Sequence, residues 1–194
     1  VQLQADIQAA GIPLENTFFT AKFTMSHPTL DDTMPDNERL TWAIRDKTGT
    51  EHVVIPYPVL RKLPTTLRES QFDVCVTLRR EGDAVIVCDV RPGWDESPAC
   101  ALAIDIGTTT VAAVLADIKT GKLLAKASSG NGQIRYGADV INRIVEQSKP
   151  GGIQRLQDAV VKETLRPIVA GLCAKAGVKA NRIVQVAVAS NPTM

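Results

Sequence analysis

The chain has 194 residues, 44% of them apolar and 22% charged, with 13 Gly, 11 Pro and 4 Cys. That is ordinary globular composition, enough to bury a real core, and it excludes a disordered, collagen-like or disulfide-stapled protein. No apolar run approaches the ~18 residues a membrane span needs, and Val1-Gln2-Leu3-Gln4 does not open a signal peptide. With no initiator Met, and a last segment Asn191-Pro192-Thr193-Met194 directly after an apolar run, the sequence reads as a piece of a longer protein.

The formal net charge of +1 hides an asymmetry. Residues 1–98 carry 15 acidic and 10 basic side chains, net −5, whereas residues 99–194 carry 6 and 12, net +6. The division falls at a linker-like stretch, Arg91-Pro92-Gly93-Trp94-Asp95-Glu96-Ser97-Pro98. A basic second half suits a nucleotide or phosphate, and equally a solvated basic surface. No basic run or interleaved aromatic stripe supports nucleic acid as a partner. Cys75, Cys88, Cys100 and Cys173 form no C-x-x-C and have no His nearby. That spacing argues against a zinc or iron–sulfur site within the chain, and four unpaired thiols suit a reducing cytoplasm.

In chain order, residues 1–35 read as a weakly patterned linker region with one strand, where Phe19, Ala21, Phe23 and Met25 alternate with polar residues. Pro28 to Pro35 is a loop. Residues 36–98 read as a small α+β domain. Asp36 caps a helix carrying Leu40, Ala43 and Ile44 and ending near Gly49; Val53–Ile55 is a short strand. Pro58 opens a second helical stretch through Val59, Leu60 and Leu63 that Pro64 closes. Phe72–Leu78 and Ala84–Val90 flank Glu81-Gly82-Asp83 as a β-hairpin. Neither His27 nor His52 has an evident partner, and both read as surface residues rather than catalysts.

Residues 99–194 are patterned more sharply. Ala101–Ile106, Val111–Ile118 and Leu123–Ser128 are strands, the last two joined through Gly121, which is free to take positive φ. A helix starts near Asp139, with Val140, Ile141, Ile144 and Val145 at helical spacing. Gly151-Gly152 breaks the pattern, a long helix runs from about Ile153 to Lys175 with a kink at Pro167, and Ile183–Ala189 is a fourth strand, buried and parallel to the first.

The chemistry concentrates in Ala103-Ile104-Asp105-Ile106-Gly107-Thr108-Thr109-Thr110-Val111. A carboxylate ends a strand, a glycine turn follows, and three hydroxyls lead into the return strand. Such a turn presents backbone N–H groups to a phosphate, with Gly107 permitting close approach and the hydroxyls of Thr108, Thr109 and Thr110 adding donors. Asp105 suits the water shell of a Mg²⁺ ion, which prefers oxygen ligands and keeps several waters.

This hairpin resembles the first phosphate loop of the actin-like ATPases, a superfamily with a ribonuclease-H-like fold. The resemblance narrows at Asn131-Gly132-Gln133-Ile134-Arg135-Tyr136-Gly137-Ala138-Asp139-Val140-Ile141-Asn142-Arg143-Ile144, which is similar to the N-P-Q-x-x-Y-G-A-D-V-I-x-R-I segment of the reductive activators of corrinoid enzymes. Upstream, Pro28-Thr29-Leu30-Asp31-Asp32 and Glu38-Arg39-Leu40 resemble that family's linker. Leu60-Arg61-Lys62-Leu63-Pro64 and Leu67-Arg68-Glu69 resemble its middle domain. Two departures stand out. Gly132 replaces a Pro, which loosens a loop, and Ser190-Asn191-Pro192-Thr193-Met194 stands in place of G-N-T-T-M.

The resemblance implies an α/β chain: a linker, a small α+β middle domain at 36–98, and the start of an actin-like ATPase domain at 99–194. It implies reduction of an inactive Co(II) corrinoid protein to Co(I), with ATP and Mg²⁺ supporting electron transfer from an iron–sulfur cluster outside this chain. Asp105 then lies near Mg²⁺, Gly107 to Thr110 surround the phosphates, and Tyr136, Asp139 and Arg143 are secondary candidates. The expected partner is a corrinoid protein in the cytoplasm, without nucleic acid or membrane, and a homodimer is compatible with it. Two rivals share the ATPase hairpin: a sugar or acid kinase, and an activator of 2-hydroxyacyl-CoA dehydratases. The roughly 100 residues before the hairpin disfavour the second. A non-catalytic docking fragment is the third alternative.

Overall fold

Residues 17–95 and 97–191 are described by the computed structural model, and they divide between Ser97 and Pro98 into two units. In the first, apolar alternation builds a four-stranded sheet. Strand β1 (Phe18–Thr24) runs antiparallel to β3 (Asp73–Glu81), which pairs antiparallel with β4 (Ala84–Pro92); β2 (His52–Val54) lies parallel to β4. The β3–β4 turn is Gly82-Asp83, with Gly82 at φ 62°. Helices α1 (Asp36–Thr48) and α2 (Tyr57–Glu69) supply Leu40, Ile44, Val59, Leu63 and Leu67 to a core with Val74, Val76, Leu78, Val85 and Val87. Both histidines have partners here: the ring of His27 lies 4.8 Å from that of Phe72, and His52 lies 3.5 Å from Asp83.

Two elements differ from the sequence reading. Asp36 does not cap α1; Pro35 holds the cap position, and the Asp36 carboxylate accepts from Arg68 of α2 at 2.7 Å. Pro64 does not close α2, which continues to Glu69. A helical proline frees the carbonyl four residues back, here Leu60. Leu60 and Pro64 both lie on the exposed side of the helix, while Val59, Leu63 and Leu67 keep the buried face continuous.

The second unit holds β5 (Cys100–Ile106), β6 (Thr110–Asp117), β7 (Leu123–Gly130) and β8 (Ile183–Ser190) in the order β7-β6-β5-β8. The first three are antiparallel neighbours, and β8 runs parallel to β5. Between β7 and β8 come a 3₁₀ turn (Gly132–Arg135), α3 (Val140–Gln147), α4 (Gly152–Val160), a π turn (Val161–Leu165) and α5 (Arg166–Ala176). Ile168 and Leu172 of α5 pack on Cys100, Leu102, Ile104, Val111, Ala113 and Leu115.

The long helix expected over 153–175 is thus interrupted. The distortion sits just before Pro167, whose ring cannot follow regular α-helical bonding to Glu163, and the Arg166 N–H reaches back five residues to Val161 O. Strand β8 is parallel to β5 as expected but is not buried. Residues Gln185–Ser190 are exposed, Val186 at 54% and Val188 at 56%, because no described element packs over them.

Candidate phosphate-binding site

Alternation along β5 turns Cys100, Leu102 and Ile104 toward α5 and leaves Ala103 and Asp105 on the opposite, exposed face. Asp105 stands between Ala112 of β6 and Ala189 of β8, with Ala187 beside Ala103. Small neighbours on both sides leave its carboxylate open. Gly107 N–H donates to Thr110 O at 3.0 Å, closing a turn with Thr108 and Thr109 at its tip. The glycine is required for close approach: a Cβ there would sit 2.8 Å from the Thr110 carbonyl oxygen. Thr109 and Thr110 are exposed and Thr108 half-buried. The N–H groups of Thr108 and Thr109 find no acceptor among the described residues, and Asp105 enters no ion pair there.

Behind the turn lies a buried polar cluster. Asn131, Gln133, Arg143 and Thr164 are all 3% exposed or less. Asn131 Nδ2 donates to Gly107 O at 2.9 Å, the Asn131 N–H donates to Thr109 O at 2.8 Å, and Arg143 Nη2 donates to Thr108 O. Arg143 also donates from Nε to Gly137 O and from Nη1 to Gln133 Oε1, both at 3.0 Å. Gln133 Nε2 then reaches Leu156 O of α4 at 3.1 Å. The Thr164 hydroxyl donates to Ala159 O at 2.8 Å and accepts the Gly132 N–H at 3.0 Å. Burial pushes the Arg143 guanidinium below its usual range, with the Asp139 carboxylate acting the other way.

Gly132 therefore does not loosen a loop. It is wedged against the π turn, where a Cβ would lie 2.8 Å from Ala159 O and 3.0 Å from Thr164 Oγ1. Asp139 caps α3, accepting the Asn142 N–H at 2.8 Å, and Tyr136 stacks with the Arg135 guanidinium, 5.3 Å from ring centre to Cζ. Of the three secondary candidates, only Arg143 hydrogen-bonds to the turn among the described residues. Helix α3 is inverted: Arg143 and Glu146 are buried while Ile141, Ile144 and Val145 are exposed. Lys149 and Arg155 hold the Glu146 carboxyl below its usual range, and Arg155 ties it across to α4.

One exposed carboxylate beside three hydroxyls and outward N–H groups fits a Mg²⁺ ion carried by a phosphate, since that ion binds through one or two carboxylates plus phosphate oxygens. No group of three or more His, Cys, Asp or Glu able to hold a metal occurs among the described residues. All four cysteines are free. No described helix is long and apolar enough to cross a membrane.

Two family models match the chain, the RACo linker region over residues 7–97 and the RACo middle region over residues 100–194. The chain belongs to the RACo family. Residues 36–98, expected to be the family's middle domain, fall instead, up to residue 97, within the linker-region model, and the middle-region model lies on residues 100–194, beginning at β5. A curated relative, the corrinoid activation enzyme RamQ of Eubacterium limosum, is 39% identical over 100 residues, 51% of this chain and 17% of that protein. A solved structure described as a reductive activator for corrinoid, iron–sulfur protein is 33% identical, with a TM-score of 0.72. It covers 94% of this chain, and the chain spans 29% of it. This likeness supports an α+β unit followed by the start of a ribonuclease-H-like fold.

Proposed function

We propose that this RACo chain contributes the first phosphate-binding turn of an ATP-dependent reductive activator that returns a Co(II) corrinoid protein to Co(I). The observation carrying this reading is the turn itself, in which Gly107 closes a tight hairpin that leaves the Thr108 and Thr109 N–H groups and three hydroxyls available beside the open Asp105 carboxylate. Gly107 lets phosphate oxygens approach the backbone, Thr108 to Thr110 donate hydrogen bonds to them, and Asp105 orients water around the accompanying cation. Mg²⁺, when bound, neutralises phosphate charge. The names of the relatives support a corrinoid protein as partner. The electron is supplied by an iron–sulfur cluster outside this chain, in a cytoplasmic protein. Nucleotide binding favours the conformation or complex in which electron transfer to cobalt is least costly.

The test is cobalt reduction by the full-length activator, followed by the corrinoid absorption spectrum. Mg-ATP should accelerate it in wild type, and Asp105→Asn should remove at least ~90% of that acceleration, a tenfold loss corresponding to ~1.4 kcal/mol. Equal acceleration in both proteins would remove Asp105 from the site.

A further inference from the structure

Three consecutive carbonyls of the turn are held from one side. Gly107 O accepts from Asn131 Nδ2, Thr108 O from Arg143 Nη2, and Thr109 O from the Asn131 N–H. In a planar trans peptide the carbonyl and the following N–H point in opposite directions. Pinning these carbonyls rearward therefore turns the N–H groups of Thr108, Thr109 and Thr110 forward, away from Asn131 and Arg143. Resting on the phosphate-site reading above, we propose that Asn131 and Arg143 are positioning residues that hold the 107–110 turn in its anion-accepting form before a ligand arrives.

The chemistry of the cluster supports this. Apolar side chains would fill the space behind the turn at lower cost than a buried guanidinium and a buried amide, which are tolerated only where their donors are directed to acceptors. Arg143 is 2% exposed and Asn131 is 1% exposed. Their donors go to backbone carbonyls of the turn, to Gly137 O and to Gln133 Oε1. A cation on Thr108 O also polarises the N–H of the same peptide unit, that of Thr109, and so strengthens it as a donor to an anion. A turn fixed in advance avoids reorganisation when phosphate binds. The fixing extends into the helices: Gln133 reaches Leu156 O on α4, and Gly132 reaches Thr164 in the π turn.

The experiment uses the full-length activator and two probes, Mg-ATP and adenosine, titrated calorimetrically. Asn131→Asp replaces the donor facing Gly107 O by an acceptor at constant size. Arg143→Lys keeps the charge but loses the fork, and Arg143→Met loses both. Mg-ATP affinity should fall about tenfold or more in Asn131→Asp and Arg143→Met, and less in Arg143→Lys. Adenosine affinity should change less than about twofold, because it makes no phosphate contact. Amide exchange at Gly107 and Asn131, whose N–H groups donate to Thr110 O and Thr109 O, should accelerate in the same order. If Asn131→Asp does not fold by circular dichroism, Asn131→Ser replaces it, keeping an acceptor for the Gln133 N–H without reaching Gly107 O. Unchanged Mg-ATP affinity, or equal losses for Mg-ATP and adenosine, overturns the positioning role while leaving the phosphate site standing. A wild-type activator that binds Mg-ATP no more tightly than adenosine overturns the phosphate site and this inference together.

Discussion

Gly132→Pro sets a local rule against a tertiary one. Proline suits the first position of a helical turn, where its missing N–H is ordinarily an orphan. In this chain the Gly132 N–H is not an orphan: it donates to Thr164 Oγ1 at 3.0 Å, and Thr164 is 2% exposed. Losing that bond costs ~1 kcal/mol. The new Cβ would stand 2.8 Å from the Ala159 carbonyl oxygen, a backbone atom that cannot swing aside, and such overpacking costs ~1–3 kcal/mol. Restricting the unfolded chain returns only ~0.4–1 kcal/mol. The net is a local destabilisation of about 2 kcal/mol, which should raise hydrogen exchange in peptides covering 104–112 and 129–146 by about 30-fold. Gly132→Ala, which keeps the N–H, should fall between. The assay is exchange mass spectrometry on the intact activator. Protection in Gly132→Pro equal to or above wild type would refute the wedge against the π turn.

Three further outcomes follow from particular residues. Ser97, and then Arg91, hold the Asp95 carboxyl down at about 2 from an ordinary 3.8. A depressed folded pKa stabilises above the unfolded value and is lost as pH falls through the folded one. Asp95→Asn should therefore cost ~1 kcal/mol at pH 7 after allowance for a side chain 38% exposed, with the gap closing between pH ~4 and ~2 in urea titrations. Pro64→Ala restores an N–H toward Leu60 O and should stabilise the first unit by ~1 kcal/mol or more, read from tryptophan fluorescence, since Trp42 and Trp94 both lie there. The 194-residue chain alone should self-associate through the exposed Val186 and Val188 of β8, and Val188→Lys should reduce this in sedimentation velocity.

Much of the fold was legible because its signals are local. Alternation in Phe18–Thr24 and Asp73–Glu81, a positive-φ glycine at Gly82 and at Gly121, and Asp139 ahead of an apolar helix each act within a few residues. Pro64 misled because a helix tolerates proline on its exposed side, and exposure is a tertiary property. Ile183–Ala189 misled because an apolar run shows what a strand is suited to bury, not what covers it. The turn from Asp105 to Thr110 was legible as a candidate site, since strand, glycine and hydroxyls are contiguous. Asn131, Gln133 and Thr164 were not. Polar residues carry no sign of burial in one sequence, and Thr164 meets Gly132 across 32 positions. Helix α3 shows the same limit: its apolar spacing marks a helix correctly, yet the buried side is the one bearing Arg143 and Glu146.

The central claim is that the Gly107–Thr110 turn receives nucleotide phosphate. A crystal structure of the full-length activator with a non-hydrolysable Mg-ATP analogue tests it most directly. Phosphate oxygens within ~3 Å of the Thr108 and Thr109 nitrogens, with Mg²⁺ bridged by water to Asp105, are the predicted result. A nucleotide whose phosphates lie elsewhere, with those two N–H groups still facing solvent, would contradict it.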